Sequence, residues 1–172
     1  MTKTPSDICE DIGFSFILRR YGWSDLYIVL ADTAVEIGIT HVFNDPETEL
    51  LELCNAVLNN VSTTIALYDE PGRHVISLTS QPQQHTMLLE ILEGGSYGTG
   101  DAITGNEKIL ASARVKRKQL LGLAMAELWK LRFFLRDPSY QKARAGNFPS
   151  DRLEALNAEW DVHKTLGPSF LK

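Results

Sequence analysis

Asp69, Glu70 and His74 flank one turn, Glu70-Pro71-Gly72-Arg73, and theirs are the side chains here whose types best suit chemistry. A carboxylate beside an imidazole can bind a metal or move a proton. If the hairpin closes at Glu70 and Arg73, then Asp69 and His74 face each other across it. A zinc centre wants three or four ligands, however, and no H-x-x-x-H, E-x-x-H or C-x-x-C spacing accompanies them. Acids and an arginine beside a surface turn read more simply as a solvated cross-strand group. His41 stands at the end of a strand, just before a helix start, and His85 and His163 have no motif around them. All three read as structural or exposed histidines.

Two other stretches carry chemical types at suggestive spacing. Residues 94–106 hold five glycines and lead toward a helix N-terminus, a place that can hold anions. The spacing is neither a P-loop nor a dinucleotide fingerprint, so the segment reads as a flexible Gly-rich loop. Arg114, Lys116, Arg117 and Lys118 form a basic cluster, with Lys130, Arg132 and Arg136 further on. A basic helix can track phosphates, but at helical spacing these four point in several directions, and nucleic acid is not the favoured partner. No serine sits in a G-x-S-x-G elbow, and Cys9 and Cys54 pair with no motif. No catalytic residue, metal or cofactor is therefore assigned.

These residues need elements to hold them. Residues 14–18, 26–30 and 35–40 read as three strands, the last alternating cleanly, joined by tight turns into an antiparallel meander. Asp45 as N-cap, Pro46 at the first helical position and Glu47 in the first turn start a helix. Leu50, Leu53, Cys54, Val57, Leu58 and Val61 follow at helical spacing as its apolar stripe, and Asn59-Asn60 ends the helix. Residues 63–68, 74–79 and 87–92 read as three more strands, with Pro71-Gly72 suited to a type II turn. A long helix is expected over 107–136, stopped by Asp137-Pro138, and a last short one from Phe148-Pro149-Ser150 to Trp160. The expectation is one α+β domain over 1–172. It has the order βββ-α-βββ-α-α, a six-stranded, mainly antiparallel sheet, and the long C-terminal helix packed on one face.

Composition limits the function classes. The apolar share is 44% and the charged share 23%, ordinary for a globular domain. No apolar run approaches a membrane span, and Met1 to Asp7 lead into no apolar h-region, so a reducing cytoplasm is the expected location. The net charge of −5 is unevenly spread. Residues 1–106 hold 4 Lys/Arg against 15 Asp/Glu, and residues 107–172 hold 13 against 7. Acidic surface disfavours nucleic acid and suits a basic protein partner.

Three segments together carry a resemblance: Tyr21-Gly22-Trp23-Ser24-Asp25 before a strand, His41-Val42-Phe43-Asn44-Asp45-Pro46 before Leu50-Leu51, and Tyr68-Asp69-Glu70-Pro71-Gly72 at a turn. Phe148-Pro149 with Leu153 and Leu156 adds a fourth. The combination resembles a large group of small bacterial α+β proteins of unassigned function, many of them similar to the immunity proteins that neutralise contact-delivered or polymorphic toxins. The resemblance implies a non-enzymatic protein-binding module and transfers no catalytic residue. Asp45, Glu47, Asp69, Glu70, Arg73 and His74 are the residues expected to meet a basic partner. Two alternatives stand beside it. One is a small enzyme or small-molecule-binding domain with its site near Asp69, His74 and the Gly-rich loop. The other is a homodimer or larger homo-oligomer whose long helices pair through Gly122 and Ala126.

Overall fold

The first meander forms as its alternation predicts. In the computed structural model, which describes residues 7–43, 45–70, 72–94, 103–144 and 146–168, strands β2 (Ile12–Leu18), β3 (Trp23–Leu30) and β4 (Thr33–Thr40) make a three-stranded antiparallel sheet. Leu26, Ile28, Ile37 and Ile39 point inward from it and are fully buried. Tyr21 and Gly22 take positive φ in a tight 3-10 turn between β2 and β3.

Helix α1 (Pro46–Asn59) begins at Asp45, whose carboxylate accepts from the Thr48 N–H, and ends at Asn60 in the left-handed region. Its stripe of Leu50, Leu53, Cys54 and Val57 is buried. Strands β5 (Thr63–Tyr68), β6 (Arg73–Ser80) and β7 (Thr86–Glu93) follow as expected, an antiparallel run joined by short turns.

The single six-stranded sheet is corrected. The described residues form eight strands in two sheets, a five-stranded mixed sheet in the order β1-β8-β7-β6-β5 and the three-stranded sheet β2-β3-β4. The two unforeseen strands are β1 (Ile8–Cys9), which lies parallel to β8, and β8 (Lys108–Lys116) itself, antiparallel to β7. The expected helix over 107–136 therefore starts only at Arg117: α2 spans Arg117–Phe134. Ala111, Ala113 and Val115 sit opposite Ile91, Leu89 and Met87, so a β7 edge that would otherwise lie open is paired. That pairing outweighs the helix propensity of the two alanines.

Asp137-Pro138 ends α2 and also starts the short α3 (Pro138–Gln141), with Asp137 accepting from the Ser139 N–H. Helix α4 (Ser150–Val162) is the expected last helix. One cluster of buried apolar side chains draws on both sheets and on α1, α2 and α4. Helix α2 packs across β2 and against α1, and its Glu127 carboxylate accepts from the Phe16 N–H at 2.7 Å, closing part of the β2 edge. No helix among the described residues is long and apolar enough to cross a membrane. Of the Gly-rich loop, residues 95–102 lie outside the described residues.

Candidate functional site

The start of β3, the residue after β4, the start of α1 and the segment after α3 bring Ser24, His41, Glu47 and Arg144 together. Ser24 Oγ lies 2.9 Å from His41 Nε2, and His41 Nδ1 lies 4.0 Å from Glu47 Oε2. Arg144 closes the cluster from outside, donating through Nη2 to Trp23 O at 2.8 Å, Arg19 O at 3.1 Å and Ser24 Oγ at 3.3 Å. The Ser24 hydroxyl thus accepts from Arg144 and shares a second hydrogen bond with His41 Nε2, whose direction is set by the ring tautomer. The fit is tight at Gly22, where a Cβ would meet the Ala143 carbonyl oxygen at 2.1 Å, so only glycine lets this segment seat.

Burial sets the charge states. It pushes the His41 imidazole down to about 4, helped by the positive charge of Arg144. It pushes the Glu47 carboxyl up to about 7, and Glu47 Oε1 and Arg144 Nε are both buried without a hydrogen-bond partner. Serine, histidine and acid stand in the order of a nucleophilic triad. Yet Ser24 and His41 are 0% and 3% exposed, and 4.0 Å is too long for a histidine–carboxylate hydrogen bond. The hydroxyl meets Arg144 instead of a substrate. In this conformation the cluster fastens the segment that carries Arg144 onto β3.

The turn singled out in sequence is built differently from its expectation. The hairpin register sets Tyr68 opposite Arg73 and Leu67 opposite His74, so Asp69 and His74 are diagonal neighbours, with His74 Nδ1 3.9 Å from Asp69 Oδ2. Burial lowers the His74 pKa, against the opposing pull of the Asp69 and Glu93 carboxylates. Arg73 turns away from the surface and makes a 2.8 Å ion pair with Glu107, both side chains being almost wholly buried. Backbone N–H groups of Thr104 and Gly105 also donate to Glu107 and hold its carboxyl down at about 2. Among the six residues expected to meet a partner, Glu47, Arg73 and His74 are thus buried, while Asp45 and Glu70 are exposed and Asp69 is partly so. Among the described residues no group of three or more His, Cys, Asp or Glu is placed to hold a metal.

The basic cluster is also redistributed. Arg114 and Lys116 lie on β8, and Arg117 turns inward at the start of α2. Its guanidinium donates to Val57 O and Leu58 O, both at 2.8 Å, and to Gln84 O. The guanidinium thereby answers the negative end of α1, where Val57 O also takes the Asn60 N–H at 3.4 Å.

An open apolar groove lies where sequence reasoning found no site. Ile17 and Leu18 of β2, Lys130, Leu131 and Phe134 of α2 and Tyr140 of α3 line a cavity of about 200 Å³. A neighbouring cavity of about 650 Å³ shares Leu18 and Tyr140 and adds Arg19, Arg20 and Ser139. Phe134 packs edge-on against both Phe133 and Tyr140, at centroid distances of 5.5 and 5.3 Å. Ile17 is 45% exposed and Phe133 69%. The signal for this surface was an interruption of pattern: Phe133-Phe134 adds two aromatics after Leu131, just before the α2 stop. Compared with protein-family models, with curated proteins and with solved structures, the chain matches none.

Proposed function

We propose that this chain is a non-enzymatic protein-binding module that receives its partner in the groove between β2, α2 and α3. The observation that carries the reading is the pair Phe134 and Tyr140, packed edge-on and lining the groove with exposed Ile17, and exposed Phe133 packed on Phe134. Contiguous exposed aromatics are unusual on a surface facing only water and are the side chains that dominate binding energies. The Ser24–His41–Glu47 cluster is buried, which favours binding over catalysis.

The groove's charged lining is basic: Arg19, Arg20 and Lys130, with no acid among its lining residues. Asp25 and Glu36 answer Arg19, and Glu127 answers Lys130, while Arg20 is exposed. The partner that fits presents an apolar or aromatic anchor flanked by acids. This is opposite in sign to the basic partner expected from composition, because the acidic excess is partly withdrawn. Glu47 is buried, and Glu10 and Glu52 pair with Lys116 and Arg152. The resemblance to immunity proteins gives the reading its narrower form, sequestration of a toxin.

Affinity capture with the wild-type chain, Phe134→Asp and Asp69→Lys tests it. The expected result is a stoichiometric acidic protein that is lost with Phe134→Asp, retained with Asp69→Lys and released by high salt. Capture that survives Phe134→Asp overturns the groove, and capture of nothing overturns the module. Self-association of the free chain that Phe134→Asp abolishes moves the reading to a homo-oligomer.

A further inference from the structure

Helix α3 and the residues that follow it to Arg144 form a strap held to the sheet chiefly through one side chain. No residue of α3 is buried, and Lys142 and Ala143 are exposed as well. Arg144 Nη1 donates to the Tyr140 carbonyl at 2.7 Å, while Nη2 reaches the Arg19 and Trp23 carbonyls across from it. The strap is also a wall of the aromatic groove. Ser139 and Tyr140 line it together with Leu18, Arg19 and Arg20, and the Tyr140 ring packs edge-on against Phe134. The Arg144 guanidinium therefore ties two walls of the groove together.

Beneath the strap lies an incompletely paired site. Glu47 Oε1 and Arg144 Nε are buried without hydrogen-bond partners, and both residues line one narrow cavity with Gln141 and Phe148. Burying an unpaired polar atom is costly, and lifting the strap returns both atoms to water. The charged and titratable groups around Glu47 are Asp45 at the start of its own helix, His41 after β4 and Arg144 from the strap. Leu135, at the end of α2, adds an apolar side to the cavity. Burial holds the Glu47 carboxyl up at about 7, against an ordinary 4.5. The closed strap thus binds the Glu47 proton more tightly than an open one. Its advantage is full below pH 4.5 and is lost as pH rises toward 7. His41, pushed down to about 4, acts in the opposite sense, so a comparison with Glu47→Gln isolates the carboxyl.

We propose that α3 with the residues to Arg144 is a gate on the aromatic groove, closed while the Glu47 carboxyl is neutral and released when it ionises. A partner that grips Tyr140 selects the closed form. The inference rests on the groove reading for what the gate admits, but the movement of the strap is read in the free chain.

Native-state hydrogen exchange of the free wild-type chain and Glu47→Gln, from about pH 5 to about pH 8, tests it. The Tyr140, Gln141, Lys142 and Arg144 amides are hydrogen-bonded within the strap or to Asp137, and a helix of four residues does not persist once detached. The ratio of wild-type to variant rates at these amides cancels the intrinsic pH dependence. It is expected to rise roughly tenfold or more across the range. In both proteins the strap should exchange faster than β6 and β7, opening without the sheets. A flat ratio, or a strap that exchanges only as fast as β6 and β7, overturns the gate. The acidic protein captured by the wild type should be held more weakly as pH rises, relative to Glu47→Gln. Capture that ignores pH while the strap opens also overturns the gate. A rising ratio in a chain that captures nothing supports the release of the strap and removes the groove reading alone.

Discussion

Arg117 reads in the sequence as one cation in a run of four, and spacing alone gives no reason to separate it from its neighbours. In the fold it alone turns inward, and its three donations to Val57, Leu58 and Gln84 carbonyls join α1, the β6–β7 turn and α2. Replacing it by leucine strands buried acceptors and leaves a helix C-terminus unanswered. A loss of about 2–4 kcal/mol in denaturant unfolding is expected, where Lys118→Leu costs under about 0.5. Equal small effects for the two would contradict the assignment of Arg117. The His41–Glu47 pair makes a prediction in pH. Burial raises Glu47 from an ordinary 4.5 to about 7, so the native state keeps a proton that the unfolded chain has released. Its contribution to stability is full below pH 4.5 and is lost as pH rises toward 7, by about 3 kcal/mol. His41, lowered from 6.5 to about 4, acts oppositely: its contribution is full above pH 6.5 and is lost as pH falls toward 4. The two slopes offset each other in the wild type. Glu47→Gln removes one, so its stability should rise from pH 4 to 6.5 and then level, gaining on the wild type up to pH 7.5. Parallel stability profiles for the two proteins would contradict the raised Glu47 pKa.

At the scale of elements, legibility followed locality. The β2–β4 meander, α1 with its Asp45 cap, the β5–β6 hairpin and α4 were readable because period, cap and turn residues lie within a few positions of one another. Strand β8 was not. Its Lys-Ile-Leu-Ala-Ser-Ala-Arg-Val-Lys sequence satisfies a helical stripe and a strand alternation equally, and only the presence of β7 beside it decides. The latch between Arg144 and β3 was illegible for the same reason. Its partners lie 120 and more residues away, in a stretch with no period to announce it. Arg144→Ala should free the segment that carries it while leaving the sheets intact. Native-state hydrogen exchange is expected to quicken in that segment by roughly tenfold or more, with unchanged rates in β6 and β7. Quickening spread evenly over the protein would show that Arg144 supports the whole fold instead of fastening one segment.

For the whole molecule, the sequence exposed a charge asymmetry but not its resolution. Lys116–Glu10 and Arg152–Glu52 join the basic and acidic halves within one chain, and Arg73–Glu107 joins them in the reverse sense. Part of the acidic excess is thus answered within the chain, while Ile17, Phe133, Phe134 and Tyr140 remain uncovered. Composition could not find that surface, since aromatic residues read as core by default and only the fold separates those inside from those left out. The most direct test of the binding reading is hydrogen exchange on the complex with the captured partner, compared with the free chain. The account predicts new protection at residues 16–20 and 130–140, with none at 45–47 or 69–74. Protection at those acidic turns in place of the groove would contradict it.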